Sequence, residues 1–197
     1  MLVALGCGSD DDTSAPNNGA DDTGLPGDGG SSDTEELSTM DTAPATGPVI
    51  TSERWEVVVE PSDDPFAALR PEDAECDPEG YQVEPLAEEI VFSIDTWNCN
   101  YVTIRQPILR TLHAGDQLEG RIWHFDLTAP GPGDAYVGYS LDGEIVWESD
   151  VRIPSSSGLI LPAWEMTRTI PEGTSIYFHL NNHGSNSWSV IDLLVVP

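Results

Sequence analysis

The chain has 197 residues with 35 acidic side chains against 7 basic ones, a formal net charge of −28, and all seven bases are arginine. That balance excludes a nucleic-acid binder, which needs clustered cations against phosphate, and the absence of lysine excludes Schiff-base chemistry. The length accommodates one domain and a tail rather than two sizeable cores.

The chain opens with Met1-Leu2-Val3-Ala4-Leu5-Gly6-Cys7. A short apolar run ending in a small residue and then a cysteine resembles the end of a bacterial lipoprotein signal peptide. Gly6 and Cys7 match the last two positions of that pattern. Ala4 stands where leucine is usual, and no basic region precedes the run. The resemblance implies that Cys7 is lipidated and becomes the mature N-terminus, so the membrane is a partner through that anchor. In this family the residue after the cysteine influences sorting. Gly8, rather than an aspartate, favours the outer membrane of a bacterial cell envelope; without the anchor the protein would be secreted.

Residues 8–48 carry eight Asp, two Glu and no base, among Gly, Ser, Thr, Pro and Asn, and no aromatic residue occurs before Trp55. Such a segment cannot bury enough apolar surface to offset backbone entropy of roughly 1–2 kcal/mol per residue. It is expected to be a disordered acidic tether, with an r.m.s. span of about 35 Å as a flexible coil. Residues 53–89 add thirteen acids against Arg54 and Arg70, whereas residues 90–197 hold twelve against five. The folded part is therefore only moderately acidic.

With Cys7 assigned to lipid, Cys76 and Cys99 remain as an even pair in an exported, oxidising setting. A disulfide between them, with Cα atoms about 4.4–6.8 Å apart, would contribute roughly 3 kcal/mol; two free thiols are the alternative. No CxxC spacing suggests a thiolate metal site.

From residue 53 to the C-terminus the pattern is strand-like, with alternation of period two and turn residues between the runs. Expected strands cover Arg54–Val59, Glu89–Asp95, Tyr101–Gln106, Gln117–Thr128, Ala135–Leu141, Glu144–Val151, Trp164–Ile170, Ser175–Asn181 and Trp188–Val196. Asp142-Gly143 is a two-residue hairpin signal, which sets Gly138 opposite Trp147. Helical spacing is confined to Pro65–Leu69. About nine short strands predict an all-β fold, an antiparallel β-sandwich or jelly roll over residues 49–197. Trp123, Phe125 and Leu127 are expected on the core face, with Ile122, His124 and Asp126 opposite. Ile176, Phe178 and Leu180 are likewise placed inward, leaving Tyr177, His179 and Asn181 on the far side. Asp192, in an otherwise apolar last strand, needs an ion-pair partner, with Arg105, Arg121 and Arg168 as candidates.

Four histidines are present, and His113 falls in a loop. His124, His179 and His183 with a carboxylate such as Asp126 could hold a divalent metal and build a metal-dependent enzyme. No HExxH or cysteine-paired signature accompanies them. Hydrogen bonding on a sheet face is the simpler role, so no cofactor is assigned. Ser155-Ser156-Ser157-Gly158 is a polar loop rather than a nucleophile elbow.

The tryptophans, with Tyr136, Tyr139 and Tyr177, suit either a core or a sugar platform. The stretch Ile176–Gly184, followed by Trp188 and an apolar last strand, is similar to the closing strands of carbohydrate-binding jelly rolls. That resemblance implies a non-catalytic module with a glycan or protein partner. The candidate ligand residues are His124, Asp126, His179, Asn181, Asn182, His183 and Trp188. A shared site among them requires that the strands of residues 121–128 and 175–181 be neighbours. A structural envelope protein without a small ligand is the remaining alternative.

Overall fold

The computed structural model describes residues 46–197; Cys7 and residues 8–45 of the expected tether lie outside the described residues, whereas Gly47–Pro48, expected at its end, pair with the last strand. Twelve strands run in chain order: β1 (Gly47–Pro48), β2 (Glu56–Val57), β3 (Tyr81–Leu86), β4 (Glu89–Asp95), β5 (Tyr101–Pro107), β6 (Gln117–His124), β7 (Gly133–Leu141), β8 (Glu144–Ile153), β9 (Gly158–Ile160), β10 (Ala163–Glu165), β11 (Ser175–Asn181) and β12 (Ser187–Val196). They form two antiparallel sheets. One has the order β10-β6-β12-β4-β3, with β1 on β12 and β9 on β6; the other has the order β2-β5-β11-β7-β8. The fold is the expected all-β sandwich of jelly-roll type, and the only helices among the described residues are short 3-10 turns.

Side chains from both inner faces fill the space between the sheets, including Ile94, Ile104, Phe178, Leu180, Trp188 and Val190, all buried. Each large apolar side chain so buried contributes about 1.5–3 kcal/mol. Ile176, Phe178 and Leu180 point inward as their alternation requires.

Strand β6 corrects its expected phase. Leu118, Ile122 and His124 are buried, whereas Phe125 is 49% exposed. Both phases of this strand carry apolar residues, so size alone favoured the aromatics. Leu118 and Ile122 decide the phase by packing inward, and Trp123 and Phe125 meet edge-on outside with ring centroids 6.3 Å apart. Leu127 is buried after all, because β6 ends at His124 and the alternation does not continue through it.

The β7–β8 hairpin turns at Asp142-Gly143 as expected. A bulge between Tyr139 and Ser140 shifts the register, setting Tyr139 opposite Trp147 and Gly138 opposite Glu148. Strand β3 was hidden by Pro85, which is tolerated because β3 lies at the sheet edge. Arg121 is the partner of Asp192, with two guanidinium nitrogens 2.6–3.1 Å from its carboxylate and Glu89 at 2.6 Å. Arg105 and Arg168 pair elsewhere, with Glu56 and Asp63 and with Asp142 and Glu144 respectively.

Cys76 and Cys99 form a disulfide. Their Cα atoms are 3.7 Å apart, closer than the expected range, and the two residues also face each other as an isolated antiparallel bridge.

Candidate functional site

Three loops converge at one end of the sandwich: residues 96–100 between β4 and β5, 125–132 between β6 and β7, and 182–186 between β11 and β12. A buried polar network stitches them together. The Asn182 Nδ2 donates to the His183 carbonyl at 2.8 Å. Its Oδ1 accepts from the Trp188 indole at 2.9 Å. Thr96 Oγ1 donates to the Gly184 carbonyl at 2.6 Å and accepts from the Asn186 amide at 3.0 Å. Asn186 Oδ1 accepts from the Thr128 amide at 2.6 Å. Satisfied networks of this kind hold loop backbone in one arrangement.

Over this floor lies a cavity of about 520 Å³ lined by Thr96, Trp97, Asn100, Thr128, Ala129, Pro130, His183, Gly184 and Ser185. Trp97 is 75% exposed. Its backbone amide donates to Asp95 Oδ1 at 3.0 Å, so the loop is fixed while the indole stays uncovered. His183 Nδ1 lies 3.8 Å from Asp73 Oδ2. Asn100 ties the preceding segment to the same loop, donating to the Asp73 carbonyl at 2.9 Å and accepting from the Glu75 amide at 2.8 Å. With the Cys76–Cys99 bridge two residues beyond Trp97, the chain on both sides of the indole is anchored.

An exposed indole beside hydroxyl, amide and imidazole groups can stack on an apolar ring face and hydrogen-bond its polar edge. A smaller cleft of about 240 Å³ beside Trp164 and Met166 is rimmed by Arg168 and Glu144, which already pair with each other.

The sequence-derived ligand residues are dispersed. Asn182, His183 and Trp188 do meet at this cavity, but only His183 lines it; Asn182 and Trp188 are its buried supports. His124 is buried against Trp188, with ring centroids 4.9 Å apart, and donates through Nδ1 to the Phe125 carbonyl at 2.9 Å. Asp126 accepts from the Ser157 amide at 2.7 Å and closes that loop. His179 and Asn181 belong to β11, in the other sheet.

The assumed neighbourhood of residues 121–128 and 175–181 therefore does not exist, since β6 and β11 lie in opposite sheets. His124 and His179 share no site. The alternative metal centre of His124, His179 and His183 has no geometry to support it, because no three His, Cys, Asp or Glu side chains group around a metal position among the described residues. The residue that sequence reading missed is Trp97. Its signal was present: Thr96-Trp97-Asn98-Cys99-Asn100 puts a large aromatic in a polar turn, where no alternation can assign it to the core.

No protein-family model matches the chain, and no curated protein matches it. Solved structures give distant likenesses. An arabinose-bound α-L-arabinofuranosidase is 10% identical with a TM-score of 0.43, over 76% of this chain and 24% of that one. This chain thus spans about a quarter of that enzyme. A carbohydrate-binding module described for specific mannan recognition is 8% identical with a TM-score of 0.44, over 78% of this chain and 96% of that one. A family 11 carbohydrate-binding module from Clostridium thermocellum, bound to a β-1,3-1,4-mixed-linked tetrasaccharide, is 10% identical with a TM-score of 0.42, covering 76% and 94%. Likenesses this low carry no argument about the ligand, and the sandwich assignment stands on the strand pairing itself.

Proposed function

We propose that this protein is an exported, lipid-anchored display module that binds glycans without catalysing their turnover. The observation that carries the reading is the uncovered Trp97 indole over a mainly apolar cavity that also presents His183 and Thr128. A tryptophan left in water forgoes about 1.5–3 kcal/mol of burial, which ring stacking with a pyranose would recover. His183 and Thr128 supply the polar edge.

The placement suits display. The described chain enters at β1, where Gly47 pairs with Val195 near the end of β12. The cavity lies beyond Ser187 at the other end, eight residues and about 26 Å along the strand at roughly 3.3 Å per residue. A ligand there would be engaged at the end of the sandwich opposite Gly47.

Two experiments test the two halves of this proposal. Detergent partitioning is expected to send the wild-type protein to the detergent phase and Cys7→Ala to the aqueous phase, since stable attachment needs more than one acyl chain. Aqueous partitioning of both would remove the anchor. A glycan array probed with the full chain is expected to show binding to neutral oligosaccharides that Trp97→Ala loses by at least tenfold, the scale of a buried aromatic anchor. Absence of binding to every glycan would remove the module's proposed role.

A further inference from the structure

The outer face of the five-stranded sheet is covered. Residues 61–70 cross it as a strap containing two 3-10 turns, Pro61–Asp63 and Ala67–Leu69. Phe66 is buried and stacks on the His179 imidazole, centroids 4.6 Å apart and planes 12° from parallel. It also lies over Gly138, where an added Cβ would come within 3.1 Å of its ring. Asp64 anchors the strap by accepting from the Tyr101 hydroxyl at 2.6 Å, the Thr103 hydroxyl at 2.8 Å and the Phe66 amide at 2.9 Å.

Counting hydrogens fixes the protonation of His179. Thr103 has one hydroxyl hydrogen and gives it to Asp64. Its 2.8 Å contact with His179 Nδ1 must therefore be accepted from an Nδ1–H. Nε2 is left as a bare acceptor, buried and without a partner. A proton added there would place a charge in a buried site, pressed against Phe66.

The other charged and titratable groups around this face are Asp63 and Arg70 from the strap, Tyr101 and Arg105 from β5, Glu56 from β2, Tyr136 from β7, Tyr177 from β11, and Glu148 and Asp150 from β8. Arg70 covers the Tyr101 ring at 4.8 Å, Arg105 pairs with Asp63 and Glu56, and Tyr136 donates to Glu148. None of these is hydrogen-bonded to the imidazole. Next to the strap the same face opens into a cavity of about 470 Å³, lined by Ser62, Asp63, Asp64, Pro65, Arg105, Gly143 and Tyr177.

We propose that residues 61–70 form an acid-released latch: protonation of His179, which Thr103 links to Asp64, frees Phe66 and joins the covered sheet face to the open cavity beside it. Burial lowers the His179 pKa to about 4, against the opposing pull of Asp64. Once the strap lifts, the solvated ring returns toward its usual value of about 6.5. The latch is therefore at full strength above about pH 6.5 and weakens as pH falls toward 4, where the open form binds the proton better. The closed-to-open ratio is expected to fall roughly a hundredfold between pH 7 and pH 4.

Amide hydrogen exchange by NMR on the full chain tests this, with rates corrected for the intrinsic pH dependence. Protection of the Phe66 and Leu69 amides should fall about a hundredfold over that interval, while the β11–β7 ladder keeps its protection. The imidazole nitrogens of His179 should show Nδ1–H at pH 7. His179→Phe, which keeps a ring under Phe66 but cannot titrate, should flatten the profile at least tenfold. Strap amides equally protected at pH 4 and pH 7, or lost only together with the ladder, would overturn the latch. An unchanged profile in His179→Phe would overturn the role of the histidine. The wild-type series decides the matter alone should that variant fail to fold.

Discussion

Gly184→Ala is expected to destabilise the domain by about 3–5 kcal/mol. Gly184 has φ +112°, and a Cβ there would be driven into the Thr128 carbonyl oxygen, with the Asn186 side chain 3.1 Å away. Backbone strain at a non-glycine residue costs roughly 1–3 kcal/mol, and forced overpacking costs a similar amount. Relief by local movement is blocked, because the Gly184 carbonyl accepts from Thr96 and the Thr128 amide donates to Asn186. Against a typical total of roughly 5–15 kcal/mol, urea unfolding should show a large drop in midpoint. Gly131→Ala is the control, since nothing lies within 4 Å of its added Cβ, and it should shift the midpoint little. A Gly184→Ala midpoint equal to that of the control would mean that the three loops are not held as described.

Trp188→Ala is expected to cost about 3–5 kcal/mol, the range for deleting a large core aromatic. The side chain is fully buried and touches His124. Trp188→Phe separates packing from hydrogen bonding. It removes the indole donor and leaves Asn182 Oδ1 with only the 3.4 Å contact from Asn186. A loss of roughly 1–3 kcal/mol is expected from that under-satisfied oxygen. Sequence reading placed Trp188 among ligand contacts, whereas the structure makes it the cavity's support. Unfolding of both variants should therefore show the deficit without any ligand present. Wild-type stability in Trp188→Ala would contradict the buried placement.

Much of the sandwich was legible in the sequence, because strands such as β4 and β11 carry a clear alternation. Ile176, Phe178 and Leu180 have polar neighbours on either side except Tyr177, so their phase was unambiguous. In β6 both phases are apolar, and only Leu118 and Ile122 meeting the opposite sheet could choose between them. The Gly138–Trp147 register failed on a single extra residue, a bulge that leaves no compositional mark. The site was legible in part. The placement of Asn182 and His183 in the loop at the cavity was legible because polar residues at a strand end belong to loops. Trp97 was missed because aromatics in a small sandwich were weighed as core. His179 was placed on the correct face of β11, but alternation cannot reveal that a strap more than a hundred residues earlier would cover it.

The proposed binding surface is at Trp97 and not at the second aromatic pair, half-buried Trp123 and exposed Phe125. It is tested most directly by calorimetric titration of the best glycan from the array into wild type, Trp97→Ala and Trp123→Ala. Affinity at least tenfold weaker in Trp97→Ala, with Trp123→Ala equal to wild type, is the predicted result. Wild-type affinity in Trp97→Ala, or a loss confined to Trp123→Ala, would contradict it.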